Sequence, residues 1–319
     1  MTEFILYALA PEIIIAKDSP SRYNGLKSKR RKITMTTLYE PAYAKLNLTL
    51  DVLGKREDGY HDLQSVMQTV SVQDDLEIDV GTGKSWCLKC DKEGIPCDER
   101  NLAWKAAKVY CDALGKDPDG LEIRITKRIP SQAGMGGGSA DAAAVLRALN
   151  GYYGNPLSID ELADLGARVG SDVPFCVVGG TCMCEGRGEI LRKLPNMPDC
   201  FFVVCKPEFS VSTPELYQKI DSVAISQRPD HTAMENGLIT GDLEKVARNI
   251  YNVFDPVVTA EHPELDDIKA VFQRCGAISG QMTGSGSATY AMVTETEVAS
   301  EICDNLKDRY SDVFVCKPV

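Results

Sequence analysis

The sequence predicts a protein of mixed strands and helices, long enough at 319 residues for two domains of ordinary size that share a cleft. Three observations carry this. From Tyr43 onward apolar and polar residues alternate, which is the period of a strand. From Asn101 to Leu114 and from Ile159 to Val169 apolar residues recur at helical spacing. Between an alternating run and an alanine-rich run lies Pro130-Ser-Gln-Ala-Gly134-Met135-Gly136-Gly137-Gly138-Ser139-Ala140-Asp141, in the order strand, glycine loop, helix. Four glycines within five residues clear side chains from backbone that must curl around a ligand, and the free N–H groups of the next helix point into the same concavity. Such a place binds phosphate. It is not a Walker loop, which ends in Gly-Lys-Ser/Thr. Nor is it the dinucleotide fingerprint, because the third glycine due at position 139 is Ser139. A flexible hinge is the alternative.

Composition limits what the loop serves. Hydrophobic residues at 44% and charged ones at 25% are those of a globular protein. A net charge of −11 argues against nucleic acid as a partner, so an anionic ligand must be held by local Lys, Arg and backbone N–H groups. The twelve cysteines are scattered over a chain with no secretory signal, so reduced thiols and a cytoplasmic location are expected. Cys87, Cys90 and Cys97 have part of a zinc-ligand spacing but no evident fourth ligand, and no metal site is assigned to them. Residues 1–34 hold an apolar stretch too short for a membrane span, followed by the basic run Lys27 to Lys32. They are expected to be an extension outside the fold, with the native start at Met35.

Along the chain, Ala44, Leu46, Leu48, Leu50 and Val52 define one face of a half-buried strand, and Lys45, Asn47, Thr49 and Asp51 the other. Lys45 and Asn47 therefore point the same way. A glycine turn, Gly54 to Gly59, leads to Tyr60-His61, which offers a ring for stacking and an imidazole for hydrogen bonding, or else is structural. Leu63 to Val72, Asp75 to Val80 and Trp86 to Cys90 read as strands. Leu121 to Ile125 alternates into the glycine loop and carries Lys127 and Arg128 to its edge. Ser158 caps Ile159 to Val169, with Glu161 completing a capping box. In Gly170-Ser-Asp172-Val-Pro174, Asp172 lies two residues before a proline, where it is a cap or a functional acid. After residue 200 a strand starts at Phe201, helical patterns run through Asp242 to Tyr251 and Leu265 to Arg274, and Ala277 to Thr294 reads as a hairpin. Helix Glu295 to Leu306 and strand Val313 to Cys316 follow.

Three of these pieces in order, the Ala44-Lys45-Leu-Asn47 strand, the Pro130 to Asp141 loop and the late segment Met282-Thr-Gly284-Ser285-Gly286-Ser287, resemble the GHMP kinases, named for galactokinase, homoserine, mevalonate and phosphomevalonate kinases. Gly54-Lys-Arg-Glu-Asp-Gly-Tyr-His61 and Gly170 to Pro174 resemble the branch that phosphorylates a cytidine diphosphate-linked methylerythritol in the non-mevalonate isoprenoid pathway. The likeness runs from about residue 40 to the end. Gln132 and Ala133 stand where two more glycines are frequent, and Met135 where a leucine is common.

The resemblance implies an α+β fold with a GHMP N-terminal domain at 35–199, containing a left-handed strand-helix-strand crossover, and a ferredoxin-like C-terminal domain at 200–319, with the active site in the cleft between them. It implies ATP and Mg2+, with Asn101, Lys127, Pro130, Gly134, Gly136, Gly137, Gly138 and Ser139 at the nucleotide. It implies Lys45 and Asp172 as the catalytic pair, Asp172 receiving the hydroxyl proton of the acceptor or orienting that hydroxyl. Asn47, Tyr60, His61, Thr213 and Tyr217 are implied around the cytidine diphosphate part, with Tyr60 and Tyr217 facing each other across a slot for the base and His61 reading its edge. No nucleic acid or membrane partner is expected, and the protein would be a monomer or homodimer. Another kinase of the superfamily, such as homoserine or mevalonate kinase, has no use for Tyr60-His61. A catalytically silent nucleotide-binding regulator would tend to lose Asp172 or Lys45.

Overall fold

The computed structural model describes residues 35–319, and the expected extension at 1–34 lies outside the described residues. In chain order come β1 (Thr36–Asn47), β2 (Thr49–Lys55), β3 (His61–Val80), β4 (Cys87–Cys90), α1 (Leu102–Leu114), β5 (Leu121–Thr126), α2 (Gly137–Tyr152), α3 (Ile159–Gly166), α4 (Val173–Val178), β6 (Thr181–Gly186) and β7 (Ile190–Lys193). Then follow β8 (Phe201–Lys206), α5 (Thr213–Ile220), α6 (His231–Thr240), α7 (Leu243–Arg248), β9 (Tyr251–Asn252), α8 (Asp255–Glu261), α9 (Glu264–Arg274), β10 (Ser279–Met282), β11 (Thr289–Val293), α10 (Thr296–Leu306) and β12 (Asp312–Cys316).

The spine of the first sheet is β3, whose 20 residues merge the two strands expected at Leu63 to Val72 and Asp75 to Val80. Different stretches of it pair antiparallel with β1, β2, β5 and β6. β4 runs parallel to β5, so β4, α1 and β5 form a strand-helix-strand crossover. Helix α2, buried from Ala140 to Asn150 apart from half-buried Arg147, packs on β1 and α1, because its alanines let backbones approach closely. The second sheet has the antiparallel order β10-β11-β8-β12, and α9 and α10 cover one face. That order, with helices between β8 and β10 and between β11 and β12, is the ferredoxin-like sandwich.

The cores are not cut cleanly at residue 200. Leu50 and Val52 of β2 belong to the core beneath α9 and α10, whereas Phe202, Val204 and Tyr290 of the second sheet reach into the first core. β9 adds to β2 as a parallel strand.

The strand expected as one half-buried run from Tyr43 breaks at Leu48 into β1 and β2, and both of its faces are buried. The polar face is closed by later segments. Asn47 N–H donates to Thr283 Oγ1 at 3.0 Å, Thr49 Oγ1 meets His231 Nδ1 at 3.0 Å, and Arg228 donates to Asp51 at 2.5 Å. A buried polar row of this kind stays in place only because each member has a partner. The row ties β1 and β2 to segments from later in the chain. The Ser158–Glu161 capping box forms as expected, with α3 ending at Gly166. All twelve cysteines are free thiols. Among the described residues no helix is long and apolar enough to cross a membrane.

Candidate active site

The glycine loop turns into α2 at Gly136, which sits at φ 71° as the N-cap with no side-chain cap. An uncapped first turn leaves N–H groups free to face the cleft. Gly134, at φ 72°, meets the late loop backbone to backbone: a Cβ there would collide with the Thr283 carbonyl, and one on Gly284 would lie 2.7 Å from Gly134 O. Side chains would force these two loops apart. Asn252, fully buried, fixes the late loop by donating to Met282 O at 2.9 Å and Gly284 O at 2.8 Å. Gln132 adopts φ 54°, a left-handed conformation, at one of the positions where glycine is frequent in the family.

Lys45 and Asp172 come together against this loop. Lys45 N–H donates to Met135 O at 3.1 Å, and its ammonium reaches Asn47 Oδ1 at 2.5 Å and Asp172 Oδ2 at 3.8 Å. Lys45 is 4% exposed and the Asp172 side chain 33%, so the carboxylate is the open member of the pair. Asp172 occupies the N-cap position of α4, with Pro174 in the first turn, yet its side chain makes no capping bond. The cap alternative is thereby removed.

Two residues expected at the nucleotide are committed to the protein. Asn101 is the N-cap of α1: its Oδ1 accepts from Ala103 N–H at 2.9 Å and its Nδ2 donates to Pro96 O at 2.8 Å. Lys127 is buried between Asp141, at 2.8 Å, and Asp74. Burial works to lower the Lys127 pKa, and Asp141 and Asp74 more than reverse it. Asp141 is pushed up to about 7 by burial, against the pull of Lys127. Asp74 also accepts the N–H groups of Arg128 at 2.6 Å and Ile129 at 2.8 Å, which fixes the entry to the loop. The Lys127 ammonium lies 3.4 Å from where a Cβ on Gly137 would stand, directly under the phosphate loop.

At the other end of the cleft the aromatic arrangement differs from the expected slot. The ring lying on Tyr217 is His61, with centroids 4.8 Å apart, and Phe254 meets Tyr217 edge-on at 5.0 Å. Asp221, the C-cap of α5, takes His61 Nε2 at 2.6 Å, and that bond holds the Asp221 carboxyl below its usual range. One of the two ring nitrogens of His61, Nε2, is therefore occupied by an acid 160 residues away in sequence. Tyr60 is 55% exposed and carries the Arg187 guanidinium 5.1 Å from its ring centroid. Thr213, in the first turn of α5, meets Ser285 of the late loop hydroxyl to hydroxyl at 2.9 Å.

Every site residue expected from the sequence lines one cleft of about 1340 Å³, including Pro130 and Ser139 at its glycine-loop end. Asp141, Arg187, Asp221, Phe254 and Ser285 line it too and were not anticipated as site residues. Only Asp141 and Ser285 lay inside motifs that could have drawn notice. Among the described residues no group of three or more acidic, His or Cys side chains could hold a metal ion alone.

Residues 101–180 match the family GHMP kinases N terminal domain, and residues 234–312 match GHMP kinases C terminal. A 4-diphosphocytidyl-2-C-methyl-D-erythritol kinase from Clostridium botulinum (strain Langeland) is 39% identical over 278 residues, covering 87% of this chain and 99% of the relative. The protein of that name from Caldicellulosiruptor saccharolyticus is 41% identical over 83% of this chain and 91% of its own. A crystal structure of 4-(cytidine 5'-diphospho)-2C-methyl-D-erythritol kinase is similar at TM-score 0.73 and 30% identity, over 88% of this chain and 98% of that one. Homoserine kinase from Cytophaga hutchinsonii shares the fold at TM-score 0.69 and 20% identity, over 91% of this chain and 96% of that one. With a Lys45–Asp172 pair against two interlocked glycine loops, and identity near 40% over almost the full length of these relatives, the chain belongs to the 4-diphosphocytidyl-2-C-methyl-D-erythritol kinase family of the GHMP kinases.

Proposed function

We propose that this chain transfers the γ-phosphoryl group of ATP to the 2-hydroxyl of 4-diphosphocytidyl-2-C-methyl-D-erythritol, a step of the non-mevalonate route to isoprenoid precursors. The observation that carries it is the Lys45–Asp172 pair, 3.8 Å apart beside the glycine loop, in the same cleft as Tyr60, His61 and Tyr217. Phosphoryl transfer needs alignment and charge neutralisation more than covalent help. In this reading Asp172 accepts a hydrogen bond from the acceptor hydroxyl and takes its proton as the bond to phosphorus forms. Lys45 neutralises charge on the transferring group, and Asn47 holds the ammonium in place.

The N–H groups of Gly136, Gly137, Gly138 and Ser139 receive the nucleotide phosphates. Those phosphates together with the Ser139 hydroxyl, the loop side chain suited to it, would hold magnesium, which would supply charge neutralisation. Asn101, Pro130 and Gly134 shape the nucleotide end, and Lys127 supports the loop from beneath through Asp74 and Asp141. Tyr60, His61, Thr213 and Tyr217 bind the cytidine diphosphate part. Residues 35–199 act as the nucleotide-binding domain and 200–319 as its partner domain, in a cytoplasmic enzyme. Incubation with ATP, magnesium and, separately, 4-diphosphocytidyl-2-C-methyl-D-erythritol, homoserine and mevalonate tests this by ADP release. Turnover with the cytidine compound is expected. Turnover with homoserine or mevalonate alone, or with none of the three, refutes it.

A further inference from the structure

The proposed acceptor is a linear molecule with a pyrimidine at one end, the reacting hydroxyl at the other and a diphosphate between. Its two ends are spoken for by Tyr60 and its neighbours and by Asp172, but the doubly charged middle needs a cation. Overall charge works against it, because the chain carries a net −11.

The cations lining the cleft are mostly satisfied already. Lys45 is bound to Asn47 and Asp172, and Lys127 is enclosed by Asp74 and Asp141. Lys55 pairs with Asp221 at 3.2 Å, and Arg100 is chelated by Asp98 through Nε and Nη2. Arg187 differs. Its Nε approaches Glu189 at only 3.3 Å, and Asp58 feels its charge, but among the described residues neither terminal nitrogen makes a hydrogen bond or close ion pair. Its guanidinium lies 5.1 Å from the Tyr60 ring centroid, at the pyrimidine end. The next residue, Gly188, abuts the reacting end: a Cβ there would stand 3.6 Å from Ser171 O and 3.8 Å from Asp172 Oδ1. The β6–β7 turn thus borders both ends of the acceptor site, and Arg187 is the cation it contributes to the cleft lining.

We infer that Arg187 binds the diphosphate of the acceptor with its two terminal nitrogens, and so distinguishes nucleoside diphosphate-linked substrates from free alcohols. Tyr60 supports the guanidinium from one side, and Glu189 holds Nε, which leaves the outer fork for phosphate oxygens. The role rests on the acceptor proposed above.

The test uses cytidine and cytidine diphosphate as inhibitors competing with the acceptor, measured on the wild-type enzyme, Arg187→Gln and Arg187→Lys. Wild type is expected to bind the diphosphate at least tenfold more tightly than cytidine. Arg187→Gln should lose roughly 10- to 100-fold in affinity for the diphosphate, the scale of hydrogen bonds to a charged group, with cytidine affinity and the KM for ATP nearly unchanged. Arg187→Lys, which keeps the charge without the fork, should lose part of that. If Arg187→Gln keeps the wild-type preference for the diphosphate, the inference falls while the acceptor stands. If wild type binds neither compound, acceptor and inference fall together. Thermal melts of both variants confirm that the comparison is made on folded protein.

Discussion

Gly136→Ala is the smallest change that reads the reactive pair through the loop. An alanine at φ 71° costs about 1–2 kcal/mol of backbone strain. Its Cβ would stand 3.1 Å from Lys45 Cγ, 3.4 Å from Lys45 Cε and 3.8 Å from Asp172 Oδ2. Lys45 has little room to yield, being 4% exposed and tied to Asn47, so its ammonium shifts by a few tenths of an ångström or more. The strain predicts a melting temperature lower by about 1.5–4 °C, at roughly 1.5–2 °C per kcal/mol for a chain of this length. Displacement of a reacting group on the order of 1 Å costs about 10²-fold, so kcat should fall by roughly ten- to a hundredfold. Gly151→Ala is the matched control, because it lies in the same helix away from the glycine loop and its Cβ would meet nothing within 4 Å. It should change stability by less than about 1 kcal/mol and leave kcat within a few fold. Steady-state ADP release and thermal melts on both variants decide the matter. A folded Gly136→Ala enzyme with wild-type kcat, or equal damage from Gly151→Ala, would refute the link between the glycine and the pair.

Asp172→Asn should lower kcat by about two powers of ten or more, the scale of a positioned acid–base group, with ATP affinity by calorimetry unchanged. Wild-type turnover would leave Asp172 without a chemical role. Tyr217→Ala removes the ring on which His61 lies and should raise the KM for the cytidine acceptor by roughly tenfold, the scale of base stacking, while sparing that for ATP. Unchanged acceptor kinetics would move the base site elsewhere. Asp141 titrates near 7 in the folded protein, above its unfolded value of 3.8, so its protonated form is favoured by folding. Its contribution to stability is fully present below about pH 4 and is lost as pH rises through about 7. Asp141→Asn should therefore become more stable relative to wild type across that interval, as read from melting temperatures at a series of pH values. A constant difference would contradict the assignment.

The features legible in the sequence are those whose cause is local. Strand and helix periods, the Ser158–Glu161 box and the glycines of the two loops act through backbone geometry within a few residues, so Phe201–Lys206, Leu102–Leu114 and the loop before Gly137–Tyr152 stand close to where the pattern puts them. Lys45 and Asn47 were legible as neighbours on one face for the same reason, and the family motif supplied Asp172. The tertiary structure decided what depends on distant partners. The polar face of β1 and β2 is buried because Thr283, His231 and Arg228 arrive from about 180 to 240 residues away. Lys127 is enclosed because β3 brings Asp74 beneath it, and His61 lies on Tyr217 because Asp221 holds it there. Arg187 carried no signal, since one arginine in a turn looks like any other until the fold sets it over Tyr60 in the cleft. Periodicity and steric permission are written along the chain. Which charges meet depends on contacts that close only when strands far apart in sequence pair, and no local pattern encodes them.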